Sequence, residues 1–291
     1  MGETDGGGSM ATTLTIDIGG TKCAAAITDD DGVHNLESWP TTGSTENLEH
    51  AVAYYQRHLE SGGSPAVAIG VSFGGPVDFR TSTVKRSVHV PGWSGFDFGE
   101  WSHKTLDLPV AVDNDAKVGA LAEFHHGGHD SDDLVYVTVS TGIGAGVISS
   151  GRIVRGVSNE AGELGHTRVS EDPKLCSCGR MGCLERMCSG YWIEQDHGRP
   201  AVELFADEEF LAEYSRMFAR GLSNAILLYN PSVIVLGGGV SRVGARLTKS
   251  LTDNVSRELE SWSHMVPVIT TSTFDRDGVH LGAKELTRDL F

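Results

Sequence analysis

At 291 residues the chain exceeds the usual size of one hydrophobic core, so two lobes are the expectation before any motif is read. Hydrophobic residues make up 39% of it, in runs too short to span a bilayer, which predicts a folded globular protein without a transmembrane helix. The formal charge of -16 argues against nucleic acid or an anionic membrane as partner, because both need a basic surface to displace counterions.

In chain order, residues 1–11 lack the basic flank and apolar stretch of a secretion signal and read as a flexible leader, which places the chain in the cytoplasm. Residues 12–18 are a β-branched apolar run, GGT supplies a turn, and residues 23–28 resume an extended pattern, so the chain opens with a hairpin. DDDG at 29–32 adds a second turn and makes a small antiparallel meander. A helix is predicted over 45–59, a buried strand over 66–72, and a short strand over 110–112 that runs into a helix from near Asn114 to before His125.

Residues 134–139, TGIG and residues 145–149 then repeat the opening hairpin in layout. The recurrence predicts two lobes of related architecture rather than one long sheet. Helices follow at 207–229 and 241–259, strands at 233–236 and 266–269, and a last helix at 281–290. The expected organisation is an N-terminal α/β lobe over 12–118, with the segment 281–291 packing on it, and a C-terminal α/β lobe over 119–280.

Three glycine turns follow strands. DIGGTK carries Gly19, Gly20, Thr21 and Lys22, STGIGAG carries Thr141 and Gly142, and LGGGV places Gly238 and Gly239 between a strand and a helix start. A residue without Cβ lets backbone amides approach an anion, so three such loops together favour a nucleotide. None fits the P-loop pattern G-x-x-x-x-G-K-[ST]. Asp17, ending the first strand, fits either an outer-shell partner of magnesium or a capping carboxylate.

VDNDA puts Asn114 and Asp115 where a strand becomes a helix, a position from which side chains reach a cleft. A sugar hydroxyl is a weak nucleophile, and a carboxylate within hydrogen-bond reach can take its proton as phosphoryl transfers, which suits Asp115. Both residue types are also common helix caps, and the letters leave that alternative open.

His166, Cys176, Cys178 and Cys183 have the number and spacing of a four-ligand zinc site, and a site with no open position is structural rather than catalytic. The predicted zinc loop spans 166–185. Glu163 lies three residues before it and Glu185 closes it, so a pinned loop would carry both carboxylates towards one place, where they can read vicinal hydroxyls of a sugar.

Together DIGGTK, NDA, STGIGAGVI, AGELGH, CSCGRMGCLE and NPSVIVLGGG resemble the ROK family of sugar kinases and related repressors, from about residue 12 to the C-terminus. The resemblance implies an α/β, two-lobed actin-like (ribonuclease H-like) fold with ATP and Mg2+ in the cleft and a structural Zn2+ loop. It implies Asp115 as general base, with Asn114, Glu163, His166 and Glu185 on the sugar, and Thr21, Thr141, Gly142, Gly238 and Gly239 along the nucleotide. It implies dimers as the common assembly.

Only about ten glycine-rich residues precede the first strand, so the expectation is a kinase rather than a helix-turn-helix repressor. The layout looks most like glucokinases, although HVPGW at 89–93 departs from their Asn-led form. Fructose and N-acylated hexosamines stay open as substrates, selectivity lying with the loops around Gly74, Gly75 and His89, and a non-catalytic sugar sensor is the reading of a different class.

Overall fold

The computed structural model describes residues 12–87 and 92–290; the expected leader and His89 lie outside them. The chain forms two compact units, one running to Asn114 and taking back the chain from Val279, the other spanning Asp115–Gly278.

The first unit contains β1 (Thr13–Ile18), β2 (Lys22–Asp29), β3 (Gly32–Pro40), α1 (Ser44–Glu60), β4 (Ala68–Phe73), the short pair β5 (Val77–Asp78) and β6 (Thr83–Val84), α2 (Phe98–Thr105) and β7 (Val110–Asn114). Its sheet has the order β3-β2-β1-β4-β7, with β1, β2 and β3 antiparallel and β1, β4 and β7 parallel. Every residue of β4 is buried, as expected for a central strand covered on both faces. Leu48, Ala51, Tyr54 and Tyr55 give α1 its apolar stripe for one side of the core. Near the end of β4, Phe73 packs 5.5 Å from Trp93, which stacks on Phe98 at the start of α2.

The second unit contains α3 (Asp115–His126), β8 (Leu134–Val139), β9 (Ile143–Ser149), β10 (Arg152–Ile153), α4 (Leu184–Cys188), α5 (Gly190–His197), α6 (Ala201–Leu204), α7 (Glu208–Tyr229), β11 (Val233–Gly237), α8 (Ala245–Glu258) and β12 (Val268–Thr271). Its sheet order, β10-β9-β8-β11-β12, repeats that of the first unit strand for strand, with the same parallel and antiparallel senses. The duplicated layout anticipated from the two glycine hairpins is therefore present, and each unit is a ribonuclease H-like α/β layer. The last helix, α9 (Asp277–Leu286), returns to the first unit and lies on β4.

The helix expected from residue 241 begins later. Gly239–Val243 is a 3-10 turn, and Gly244, at φ 69, redirects the chain before α8 opens at Ala245. α4, α5 and α6 escaped the sequence reading because each is short and the run is broken by Gly190, by Gly198 at φ 65 and by Pro200. Among the described residues no helix is long and apolar enough to cross a membrane.

Candidate functional site

Parallel pairing of β4 with β7 carries the chain to Asn114, and α3 starts on the next residue. Within the first unit the Asn114 amide donates to the fully buried Asp113 at 2.8 Å, and Asn114 Nδ2 donates to the Gly75 carbonyl at 3.4 Å. Asp115, the first residue of the second unit, is exposed, and its Oδ1 accepts from the Ala116 amide at 2.8 Å. The helix behind it is held close to β9, since a Cβ on Gly146 would come within 2.3 Å of the Ala116 carbonyl oxygen.

Of the three glycine loops, Gly19, Gly20, Thr21 and Lys22 form the tip of the β1–β2 hairpin, closed by the Gly19 amide donating to the Lys22 carbonyl at 3.0 Å. Thr141 and Gly142 lie between β8 and β9, where the Ser140 amide donates to the Gly142 carbonyl at 2.9 Å. The carbonyls of Ser140 and Thr141 accept from the Gly190 and Tyr191 amides at 2.8 and 3.2 Å, which fastens this loop to the first turn of α5. Gly238 and Gly239 follow β11. Gly238 has φ 78, and a Cβ there would lie 2.4 Å from the Val139 carbonyl oxygen, so the third loop rests against the base of the second.

Sequence reasoning missed the group behind them. The Tyr136 ring is wedged between α3 and β11, where a Cβ would meet it at 2.3 Å from Gly119 and at 2.0 Å from Gly237. Burial pushes the Tyr136 hydroxyl well above its ordinary pKa, with the charges of Glu123 and Asp115 adding to the rise.

Among the described residues, the ligand atoms of His166, Cys176, Cys178 and Cys183 form a cluster with all four within 4.8 Å of one another. His166 Nδ1 is 3.8 Å from Cys176 Sγ, and Cys178 Sγ is 3.6 Å from Cys183 Sγ. Four ligands about 2.0–2.3 Å from a tetrahedral ion stand roughly 3.3–3.8 Å apart, so the cluster has the right size for zinc. Its chemistry fits as well. Burial first, then the neighbouring thiols, push Cys183 up to about 12, a proton affinity that a divalent cation among three sulfurs would reverse.

The knuckle is built by paired backbone segments, Leu175 opposite Met181 and Arg168 opposite Cys183, with Gly179 at φ 83 and Gly182 at φ 72. A Cβ on Gly182 would fall 2.0 Å from the Ser170 carbonyl oxygen, so this turn admits no side chain.

The two glutamates differ. Glu163 is exposed, and its Oε2 lies 3.9 Å from His166 Nε2, so the histidine offers one nitrogen to the cluster and the other to this carboxylate. Glu185 is half-buried, its Oε2 accepting from the Ile143 amide at 3.0 Å and its Oε1 from Ser177 Oγ at 3.4 Å. It ties the cysteine knuckle to the glycine loop between β8 and β9. A brace not anticipated from the letters stands beside it: Asp196 on α5 accepts from Arg186 Nη1 and Nη2 and from Lys174 Nζ, each at 2.9 Å. These bonds, those from Arg186 above all, hold the Asp196 carboxyl at about 2.

The profile of the ROK family matches residues 13–289. The chain belongs to the ROK family. A ROK hexokinase from Thermus thermophilus shares 31% identity and superposes with a TM-score of 0.82, covering 94% of this chain and 97% of that one. A ROK family glucokinase from Streptomyces griseus, solved in complex with glucose and AMPPNP, shares 26% identity at a TM-score of 0.81, covering 96% and 100% of the two chains. An N-acetylmannosamine kinase of Citrobacter koseri is 36% identical over 184 residues, 62% of each chain. The fold is that of ROK sugar kinases.

Proposed function

We propose that this ROK protein is a cytoplasmic hexose kinase that transfers the γ-phosphoryl group of ATP to the 6-hydroxyl of glucose, its two units serving as the two lobes of the enzyme. The observation that carries the reading is the full-length likeness to a ROK glucokinase whose structure holds both a hexose and an ATP analogue. In this reading Asp115 accepts the proton of the 6-hydroxyl as that oxygen bonds to the γ-phosphorus and the bond to the bridging oxygen breaks, leaving ADP. Asn114, Glu163, His166 and Glu185 orient the sugar.

The loops at Gly19, Gly20, Thr21 and Lys22, at Thr141 and Gly142, and at Gly238 and Gly239 offer backbone amides to the triphosphate, with magnesium as its counterion. His166, Cys176, Cys178 and Cys183 hold zinc as a closed structural site, which fixes Glu163 and Glu185 in place.

A second reading, phosphorylation of an N-acylated hexosamine, is favoured by the higher identity to the N-acetylmannosamine kinase over the shared 62%. Initial rates with ATP and magnesium across glucose, fructose, mannose and N-acetylmannosamine decide between them. Glucose is expected to give the highest kcat/KM, by about tenfold or more, a discrimination that a few buried polar contacts can supply. A preference for N-acetylmannosamine would establish the second reading, and sugar binding without turnover of any hexose would leave a sensor.

A further inference from the structure

Thr41, the residue after β3, grips the β1–β2 hairpin tip from outside. Its amide donates to the Thr21 carbonyl at 3.1 Å, and its hydroxyl donates to the Gly19 carbonyl at 2.7 Å. The one hydroxyl hydrogen is thereby committed, so the 3.4 Å contact between Cys23 Sγ and Thr41 Oγ1 is the thiol donating to the hydroxyl oxygen. Burial raises the pKa of that thiol and keeps it a donor.

Thr41 is itself anchored. Thr42 donates from its amide and its hydroxyl to Asn47 Oδ1 at 3.1 and 2.9 Å, and Asn47 Nδ2 donates back to the Thr42 carbonyl at 3.1 Å. Asn47 is buried in the first turn of α1, so the grip rests on a helix rather than on a loop. From the other side the Gly74 amide donates to the Ile18 carbonyl at 2.9 Å, just before the tip.

A trans peptide is planar, with its carbonyl and the following N–H pointing in opposite directions. Holding the Gly19 carbonyl therefore sets the direction of the Gly20 N–H, and holding the Thr21 carbonyl sets that of the Lys22 N–H. Two successive glycines would otherwise leave the Gly19–Gly20 peptide free to rotate at little cost.

We propose that Thr41 is a positioning residue for the nucleotide: it touches no substrate, and it aims the hairpin amides at the triphosphate by fixing the two carbonyls behind them. The inference rests on the kinase reading above and on the assignment of this hairpin to phosphate.

The test compares wild type with Thr41→Val, which keeps the side-chain shape and the backbone bond but loses the hydroxyl, and with Thr41→Ser, which keeps the hydroxyl. Thr41→Val is expected to raise KM for ATP about tenfold, the scale of one lost hydrogen bond, with KM for the hexose within about twofold of wild type. Amide exchange over residues 19–22 should quicken in the same variant, and Thr41→Ser should restore both readouts. Should Thr41→Val fail to fold, Thr41→Ala carries the same expectation. An active wild type with Thr41→Val unchanged in KM for ATP overturns the positioning role alone, as do equal rises in both KM values. A wild type that phosphorylates no hexose with ATP overturns the kinase reading and this inference with it.

Discussion

Asp115 opens α3 with one carboxylate oxygen accepting from the next amide at 2.8 Å, and its side chain is exposed where Asn114 ends the strand before it. His280 on α9 is a residue of the opposite kind. It is 1% exposed, and its Nδ1 lies 2.9 Å from Thr15 Oγ1, a hydroxyl that also contacts the Ala26 carbonyl at 3.1 Å and Thr28 Oγ1 at 2.9 Å.

Burial drives the His280 pKa down to about 4 from its ordinary 6.5. The unfolded chain then binds a proton that the folded chain refuses between those values, so this contribution to stability is complete above pH 6.5 and is lost as pH falls towards 4. We expect denaturant unfolding to show a loss on the order of 2–3 kcal/mol across that window from this group. The loss should be absent in His280→Gln, and equal pH dependence in the two proteins would refute the assignment.

Residues with unusual chemistry were legible from the letters, as with the three cysteines and one histidine that gather within 4.8 Å. Thr41 and Tyr136 were not, because an ordinary threonine or tyrosine acquires its role only from backbone brought to it from distant positions.

At the scale of elements, the glycines record where layers approach. A Cβ on Gly70 in β4 would stand 2.0 Å from the Ala283 carbonyl oxygen, so α9 lies against the strand with no room for a methyl group. Gly70→Ala should lower the unfolding free energy by about 2 kcal/mol or more, measured by chemical denaturation, since backbone must move to admit it. An unchanged midpoint would mean the helix is not held there.

The proposed zinc knuckle makes a second prediction. Removing zinc by chelation, or weakening its binding with Cys178→Ser, should lower the melting temperature and raise KM for the hexose about tenfold or more, because metal affinity is folding free energy for the segment carrying Glu163, His166 and Glu185. Full activity in protein shown by metal analysis to be zinc-free would contradict it. Long periodic elements such as α7 were legible, with Asp207 capping the start by accepting from the Glu209 amide at 2.8 Å and Asn230 ending it at φ 45. The region of α4, α5 and α6 was not, since one- or two-turn helices carry too little periodicity to be read and are fixed by tertiary contacts such as the Arg186–Asp196 pair.

For the whole molecule, duplication was the most legible feature: two hairpins with glycine tips became two sheets of identical strand order. The charge of -16 also acts at this scale. Its seven lysines against sixteen arginines, with the acidic excess, fit either a salt-rich cytoplasm or an ordinary enzyme kept soluble by its charge. Like charges repel across the surface, and salt shortens that repulsion from a range of about 10 Å at 0.1 M to about 3 Å at 1 M. The melting temperature should therefore rise with added KCl over this range, and a flat or falling curve would show that self-repulsion costs the fold nothing.

The account depends most on Asp115 as the acceptor of the sugar proton. Asp115→Asn keeps size and polarity and removes the base, so calorimetry should find glucose bound with near wild-type affinity while kcat falls by ~10²-fold or more. Turnover undiminished in that variant would contradict the mechanism.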